Sequence, residues 1–583
     1  MNSGTALHER ACSLLGNAIE AQRYRLKGYE QPSEVLTLET VRAIDFLFCK
    51  DLFPEKEGGR GLDRAEAIIM SWGVNGALSR VFPEALHDDP FKLFPSTRKT
   101  QDQANGFLLD CGILALAERQ AAFLRDGLLS ASIDHRRMND MDILVLSTDD
   151  ASLYSEAIGH AGTRWASTQA TLADRKDEED LEDRHRRLLP AIVRQLASAA
   201  GQSTEFASPP EIDQHFRDWA RIYLRRMPYR DLLSEDDAIG GRTFSAYLKI
   251  LEELSTMAQT RLCYAGLLKH RYPKLSFRNL LTGFSDFDGL LSALALSLDA
   301  DTLEVQRLLS HLMIEPANAS IHLRRSETAW APVMRTSLGA CLLPMYGLEI
   351  NPFLFLLNDL RQKYEKDWFR IANDREARWI AELAPLFPAP RWEHTRRGAK
   401  LKRDSEVVTD IDFAAYDGDS GELALFQLKW QEPVGADDRR RRSAGRNLLE
   451  ESNRWTLAVS KWIDEFGLEE LGKRLGFRMR SGTKFCLFVL ARYGAHFSGF
   501  GGQHDAAVWA DWNHFKKARL ENISSSSVEL ARLVATEIAS AKSAVEPESL
   551  AIPLPGLAVI VNPAALPGPR AAVSGKGNRR RRK

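Results

Sequence analysis

Two pairs of polar residues in the C-terminal third of the sequence have the spacing of strand neighbours. Asp410 and Asp412 lie two residues apart, and Gln427 and Lys429 repeat that spacing further along the chain. On a strand, side chains two residues apart share a face. The segment between the pairs, YDGDSGE (416–422), has the Gly and Asp content of a hairpin turn, which would bring both pairs to one edge of a sheet.

These residue types suit hydrolysis of a phosphodiester. Carboxylate and amide oxygens are hard ligands for Mg²⁺ or Mn²⁺, and a nearby ammonium group can orient a water molecule or stabilise developing negative charge. Lys429 lies in an otherwise apolar strand, where it is costly to bury unless a carboxylate or a phosphate compensates its charge. The alternative interpretation is an edge strand whose polar residues face water.

A helix ahead of these strands adds another carboxylate. The segment KDWFRIANDREARWIAELAPLF (366–387) is predicted to be helical, and its apolar stripe consists of Phe369, Ala372, Ile380 and Leu383. Glu376 is four residues from both Ala372 and Ile380, which predicts a position on the buried face. A buried carboxylate needs a cation, a metal or a hydrogen-bonding partner. The alternative is a boundary residue whose carboxylate reaches solvent.

The elements that must position these side chains differ between the two halves of the chain. Apolar residues at helical spacing dominate the first half, with one candidate strand at 141–147 and a charge-dense, solvated helix at 172–189. Beyond residue 390 the apolar runs shorten to strand length. The predicted strands there are 407–416, 422–430 and 483–493, and the predicted helices are 447–466 and 527–542.

These patterns predict an α+β multidomain protein. A large, mainly α-helical N-terminal region (1–355), of one or two subdomains, is followed by an α/β domain with a short mixed sheet (356–545). The remainder (546–583) is predicted to be a strand-like segment and a disordered basic tail.

Composition excludes several classes of function. With 78 Lys and Arg against 79 Asp and Glu, the chain has a net charge of -1, so any binding of a polyanion must be local. The six cysteines are far apart and form no CxxC pair, which disfavours a zinc knuckle or a disulfide framework. No segment has the length and hydropathy of a membrane span, and motifs for NTP hydrolysis, zinc proteolysis and dinucleotide binding do not occur. The sequence therefore predicts a cytoplasmic protein without a membrane partner.

The C-terminal residues resemble the PD-(D/E)XK, or restriction-endonuclease-like, nuclease superfamily over about residues 357–520. In that family the elements follow one another in a fixed order. A helix with Glu comes first, then a strand (here near 391–395), a strand with Asp and a hairpin. A strand with Glu or Gln two residues before Lys follows, and then a helix. The resemblance implies catalytic roles for Asp412, Gln427, Lys429 and Glu376. It implies Mg²⁺ or Mn²⁺ on Asp412 and Gln427, with Asp410 as the alternative to Asp412. Here Gln427 stands where Glu is commoner, and no Pro precedes the aspartate.

An arginine cluster follows the predicted catalytic strand and is a candidate for nucleic-acid binding. It consists of Arg439, Arg440, Arg441, Arg442 and Arg446. Guanidinium groups can bind phosphates in a bidentate manner, although a solvated loop is the alternative.

The function expected from these features is metal-dependent hydrolysis of nucleic acid, DNA in preference to RNA. The resemblance places such a protein in bacterial defence or DNA repair, and the helical N-terminal region is a candidate site for a protein partner. The competing hypothesis is a noncatalytic nucleic-acid-binding or scaffold protein that keeps a degenerate nuclease fold.

Overall fold

The protein has a mixed α+β fold in a computed structural model. The structure describes residues 3–29, 33–49, 64–86, 94–138, 141–147, 155–198, 209–324, 328–431, 438–497, 501–543 and 550–561. The predicted disordered tail therefore lies outside the described residues.

The N-terminal part is mainly helical, as predicted. Its helices are α1 (Ser3–Leu26), α2 (Ser33–Cys49), α3 (Arg64–Trp72), α4 (Val74–Val81), α5 (Arg98–Arg125), α6 (Ser155–Ala173), α7 (Arg175–Ser198), α8 (Pro210–Arg225), α9 (Phe244–Arg271), α10 (Arg278–Leu281), α11 (Phe287–Leu298), α12 (Thr302–Leu309), α13 (Pro316–Leu323), α14 (Met345–Glu349), α15 (Pro352–Lys363) and α16 (Glu365–Leu383). None of the described helices has the length and apolar character needed to cross a membrane.

Short strands lie between these helices. They are β1 (Ser130–Met138), β2 (Met141–Ser147), β3 (Ala238–Ile239), β4 (Arg242–Thr243), β5 (Gly283–Asp286), β6 (Met313–Ile314), β7 (Val333–Arg335) and β8 (Ala340–Leu343). Strand β2 confirms the prediction for 141–147. The charge-dense segment forms the end of α6 and much of α7, where an exposed Arg175–Glu179 ion pair of 3.0 Å is consistent with a solvated face.

The C-terminal part carries the remaining elements. They are β9 (Trp392–His394), β10 (Ala399–Arg403), β11 (Glu406–Ile411), β12 (Phe413–Asp417), β13 (Glu422–Lys429), α17 (Asp438–Leu475), β14 (Lys484–Ala491), β15 (Ala507–Asp511), α18 (Trp512–Glu521), α19 (Ser527–Ser543), β16 (Leu550–Leu554) and β17 (Leu557–Val561). The predicted strand 407–416 is divided, because β11 ends and β12 begins on either side of Asp412.

A five-stranded mixed sheet organises this part in the order β15-β14-β13-β12-β9. Strands β13, β14 and β15 are parallel, whereas β12 is antiparallel to β13 and to β9, with Phe413 opposite Phe426. One face packs against α17 through residues such as Leu425 and Trp462. The other face packs against α16, α18 and α19. The sheet is therefore covered on both sides, and the end of its central strand is held in a fixed environment.

Two of the predicted domain boundaries do not coincide with breaks between the observed elements. Residues 356–363 belong to α15, which packs its leucines into the core of the helical region, so the boundary at 355/356 falls inside a helix. Helix α16 contributes Trp368 to that core and Trp379 to the core under the sheet. The strands of the C-terminal segment are not separate either, since β17 pairs in parallel with β2 and completes the sheet β1-β2-β17-β16. Sequence periodicity cannot reveal this pairing because it joins residues distant in the chain.

Candidate active site

Asp412 lies at the break between β11 and β12 and is buried, with only 5% of its surface exposed. The side-chain amide of Gln427 donates to Asp412 Oδ2 at 2.7 Å, and the backbone N–H of Leu428 donates to the same oxygen at 2.6 Å. Burial raises the pKa of Asp412 to about 7, since these donors are uncharged and offset the loss of hydration only in part. Among the residues that the structure describes, the hydrogen-bond donors to the buried Asp412 carboxylate are uncharged.

Gln427 and Lys429 share one face of β13, as predicted. Leu423 and Leu425 on the same face pack in the core beneath α17, and the polar pair extends that row to the end of the strand. Strand β13 lies between β12 and β14, and Gln427 is 7% exposed. The alternative of a water-facing edge strand is therefore wrong, because β13 is central and Gln427 is buried.

Lys429 reaches from the strand towards helix α17. Its Nζ lies 2.8 Å from Glu451 Oε2, and its side chain is 24% exposed. The predicted need for a compensating carboxylate is met by Glu451, a residue that the sequence analysis missed. A signal was available: Glu451 lies four residues before Trp455 in the predicted helix 447–466, at the edge of that helix's apolar stripe.

Asp410 and Asp412 do not share an environment. Asp410 is exposed on β11, opposite Lys400 of β10, and its backbone carbonyl accepts a hydrogen bond of 2.6 Å from Trp455 Nε1. The negative charge of Asp410 nevertheless raises the pKa of Asp412. Asp410 is therefore an outer neighbour of the site, whereas Asp412 is buried at its centre.

Glu376 is exposed, so the prediction of a buried position was wrong. The helix buries a stripe led by Trp368, Arg375 and Trp379, and it leaves Phe369 56% exposed. The large indole rings, which the predicted stripe omitted, set the orientation of the helix. The alternative of a boundary carboxylate that reaches solvent is the one observed.

Glu376 nevertheless interacts electrostatically with Asp410, Asp412 and Lys429. Partial burial raises its pKa, the negative charge of Asp410 raises it further, and the positive charge of Lys429 lowers it. Glu376 in turn raises the pKa of Asp412. Glu376 is therefore electrostatically coupled to both Asp412 and Lys429, and Asp412 and Gln427 are in direct contact.

The arginine cluster lies in the first turns of α17. Arg446 is exposed, but Arg442 forms an ion pair with Asp126 next to α5 and lies 5.7 Å from the ring centre of Phe123. Arg440 and Arg441 are half-buried, and the side chain of Arg439 lies outside the described residues. Arg442 thus joins α17 to the helical region, which leaves Arg446 as the exposed cation among the described side chains of this cluster.

The donor set can be compared with the needs of a metal ion. In the described part of the chain, no three His, Cys, Asp or Glu side chains are grouped closely enough to hold one. A site on Asp412 and Gln427 would have one carboxylate and one amide, and Mg²⁺ commonly takes one or two carboxylates and fills its shell with water and phosphate oxygens. The buried carboxylate, which lacks a compensating cation, fits such an ion.

Comparison with known proteins adds no assignment. The chain matches no protein-family model, no curated protein and no solved structure. Any inference about the chemistry of the site therefore depends on its own side chains.

Proposed function

We propose that this protein is a metal-dependent nuclease that hydrolyses phosphodiesters of DNA. One observation carries the proposal: the buried Asp412 carboxylate contacts Gln427 at the end of a central strand that also presents Lys429. A buried carboxylate that gains no cation from the protein is a natural position for a divalent ion.

The order of elements supports an assignment to the PD-(D/E)XK type. Helix α16 with Glu376 is followed by β9, by β12 directly after Asp412, by β13 with Gln427 and Lys429, and by α17. Antiparallel strands β9 and β12 precede the parallel strands β13 and β14, so one sheet presents the carboxylate and the lysine on neighbouring strands.

Asp412 and Gln427 would hold Mg²⁺ or Mn²⁺, with Asp410 nearby to bind its water. The Gln427 amide now presents its nitrogen to Asp412, and a half-turn about its last side-chain bond presents the oxygen instead. When bound, the ion would polarise the phosphate and lower the pKa of a water molecule.

The other groups have roles that follow from their positions. Lys429, held by Glu451, would stabilise negative charge on the phosphate in the transition state, or exchange that carboxylate for the phosphate when substrate binds. Glu376, whose raised pKa favours proton uptake, would accept a proton from the attacking water. Arg446, exposed on α17, would contact the DNA backbone.

A cleavage assay tests this proposal. Plasmid, linear duplex, single-stranded DNA and RNA are incubated with the full chain in Mg²⁺, Mn²⁺ or EDTA. We expect cleavage of DNA that needs the ion and is lost in Asp412→Ala, while Asp419→Asn, which alters an exposed carboxylate in the adjacent hairpin turn, cleaves normally. Cleavage that persists in EDTA and in Asp412→Ala would disprove the proposed site.

The competing function is a noncatalytic DNA-binding or scaffold protein. It is favoured by the Gln427 nitrogen that faces Asp412, because an amide that stays in this orientation satisfies the carboxylate and leaves no place for a metal. DNA binding without cleavage in any metal, unchanged in Asp412→Ala, would support this function instead.

A further inference from the structure

Arg492 is a buried cation at the end of β14, next to the candidate active site. Its side chain is 4% exposed, and its guanidinium carbon lies 4.9 Å from the ring centre of Trp430, 5.6 Å from that of Trp512 and 5.8 Å from that of Trp379. Indole faces attract a cation, but a buried guanidinium also needs hydrogen-bond acceptors. The partners that supply them show what Arg492 connects.

The acceptors come from two separate parts of the chain. Glu382 on α16 accepts two hydrogen bonds from Arg492, at 2.7 and 3.2 Å. Asp231, in the short 3₁₀ helix Arg230–Leu232 of the helical region, accepts another hydrogen bond from Arg492 and also accepts one from the hydroxyl of Tyr493 at 3.1 Å. Arg492 is therefore shared between the helix that carries Glu376 and the N-terminal region.

The backbone of Arg492 holds the predicted catalytic strand. Its N–H donates to the carbonyl oxygen of Lys429 at 3.0 Å, immediately beyond the paired length of β13 and β14. Its side chain packs against Trp430, the next residue after Lys429. One residue thus fixes the peptide that follows the candidate lysine and, through Glu382, the helix of Glu376.

The same face of α16 has other links to the helical region. Arg378 Nη1 lies 2.8 Å from Asp237 Oδ2, and Asp367 accepts the backbone N–H of Gly240 at 2.8 Å. The segment that follows Asp231, the partner of Arg492, therefore contacts α16 at several points. These contacts make the helical region a support for the sheet end, in addition to any role in binding partners.

We propose that Arg492 is a positioning residue through which the helical region sets the geometry of the candidate active site. Asp231 orients Arg492, and Arg492 holds Lys429 and the helix of Glu376 at their working separation. The effect on the rate of DNA cleavage rests on the proposed function. The effect on the structure around Lys429 does not.

Two variants of the full chain test it, Asp231→Asn and Arg492→Lys. We expect kcat for DNA cleavage to fall in both, on the order of 10²-fold for Arg492→Lys because small misplacements of reacting groups have such effects, while KM changes little. Lysine keeps the charge but cannot make the two-sided contacts of a guanidinium. Amide hydrogen exchange in the segment 429–431 should become faster, and Asp231→Glu should restore much of the loss.

The control is Glu252→Gln, which removes the 2.6 Å ion pair with Arg221 inside the helical region. It should leave kcat and exchange in 429–431 unchanged. Tyr493→Phe removes only one hydrogen bond to Asp231. It should lower kcat and speed exchange in 429–431, each by less than Asp231→Asn does. This variant replaces Asp231→Asn in the test if Asp231→Asn does not fold.

The outcomes separate this inference from the proposed function. If the wild-type protein cleaves DNA but Asp231→Asn and Tyr493→Phe match it in kcat and in exchange, the positioning role is overturned and the nuclease stands. If the wild type cleaves nothing, the proposed function fails, and faster exchange at 429–431 in the variants would still support the coupling. Equal exchange in every variant would overturn it.

Discussion

Two buried aspartates, one in the helical region and one beside the five-stranded sheet, have opposite electrostatic surroundings. Asp359 of α15 accepts hydrogen bonds from His311 at 2.7 Å and His322 at 3.2 Å, and it lies 3.0 Å from Lys363 Nζ. Burial alone would raise the pKa of Asp359, but these partners outweigh it and hold the pKa well below its usual range. Burial raises the pKa of Asp412 to about 7 instead.

The difference lies in the partners, because both carboxylates are nearly inaccessible, at 3% and 5% exposure. Asp359 is surrounded by donors and a cation, which is the arrangement of a structural network. Asp412 has two uncharged donors and the negative charges of Glu376 and Asp410 nearby. Burial of a carboxylate is thus not informative by itself, and neither is a raised pKa, since burial also raises the pKa of Asp45 in the helical region to about 7. What marks Asp412 as a candidate binding site is the shortage of positive charge together with Gln427 and Lys429 on the neighbouring strand.

The largest effect is expected from neutralising the structural aspartate. Asp359→Asn removes the charge that His311, His322 and Lys363 surround, and we expect a loss of about 3 kcal/mol in the free energy of unfolding. Asp412→Asn should be neutral or stabilising at neutral pH. Thermal and urea unfolding of the two variants measure this contrast, and equal destabilisation by both would remove the distinction between the two sites.

The pH dependence of stability should differ in sign between the two residues. Asp359 has a lowered pKa, so its contribution is present above about pH 4, the unfolded value, and is lost as the pH falls through the folded value. Asp412 has a raised pKa, so its contribution is present below about pH 4 and is lost as the pH rises towards 7.

The free energy of unfolding of each variant, measured at several pH values and compared with that of the wild type, tests whether the two pH dependences have opposite signs. The advantage of Asp412→Asn over the wild type should appear between about pH 4 and pH 7 and then stay constant. The disadvantage of Asp359→Asn should shrink below about pH 4. An advantage of Asp412→Asn that is the same at all pH values would contradict the raised pKa.

A smaller effect is expected from Gln427→Glu. The change removes the amide donor to Asp412 and adds a negative charge beside it, so Mg²⁺ should bind more tightly, on the order of tenfold. Titration with Mg²⁺ measures the affinity, with Gln431→Glu, two residues beyond Lys429, as the control. An unchanged affinity in Gln427→Glu would place the ion away from this residue.

The smallest effect concerns the arginine cluster. Arg446→Gln should weaken DNA binding and lower the slope of log affinity against log salt by about one unit, as expected for one phosphate contact. Arg442→Gln should change the slope less, because Arg442 is already paired with Asp126. Binding measured by fluorescence anisotropy at several salt concentrations distinguishes them, and equal slopes would mean that the DNA path lies elsewhere.

Local patterns predicted the centre of the site. Alternation along β13 placed Gln427 and Lys429 on one face, and the turn residues of 416–422 set the hairpin that brings Asp412 to Gln427. These features depend on neighbours in the sequence, where strand and turn geometry follow from residue type.

The failures are tertiary in origin. The position of Glu376 depends on how Trp368 and Trp379 pack in two different cores, which the apolar stripe alone does not specify. The pairing of Arg492 with Asp231 joins residues far apart in the chain, and so does the pairing of β17 with β2. Glu451 was the one omission that helical spacing could have corrected.

The central claim is that Asp412 is a buried carboxylate whose counter-charge is a divalent ion. Calorimetric titration of Mn²⁺ at pH 7, in two buffers of different ionisation enthalpy, tests it most directly. We predict that the wild type binds the ion with release of protons, as expected for a carboxyl group whose pKa burial raises to about 7, and that Asp412→Asn binds none. Binding of equal affinity to the variant, or no binding to the wild type, would contradict the claim.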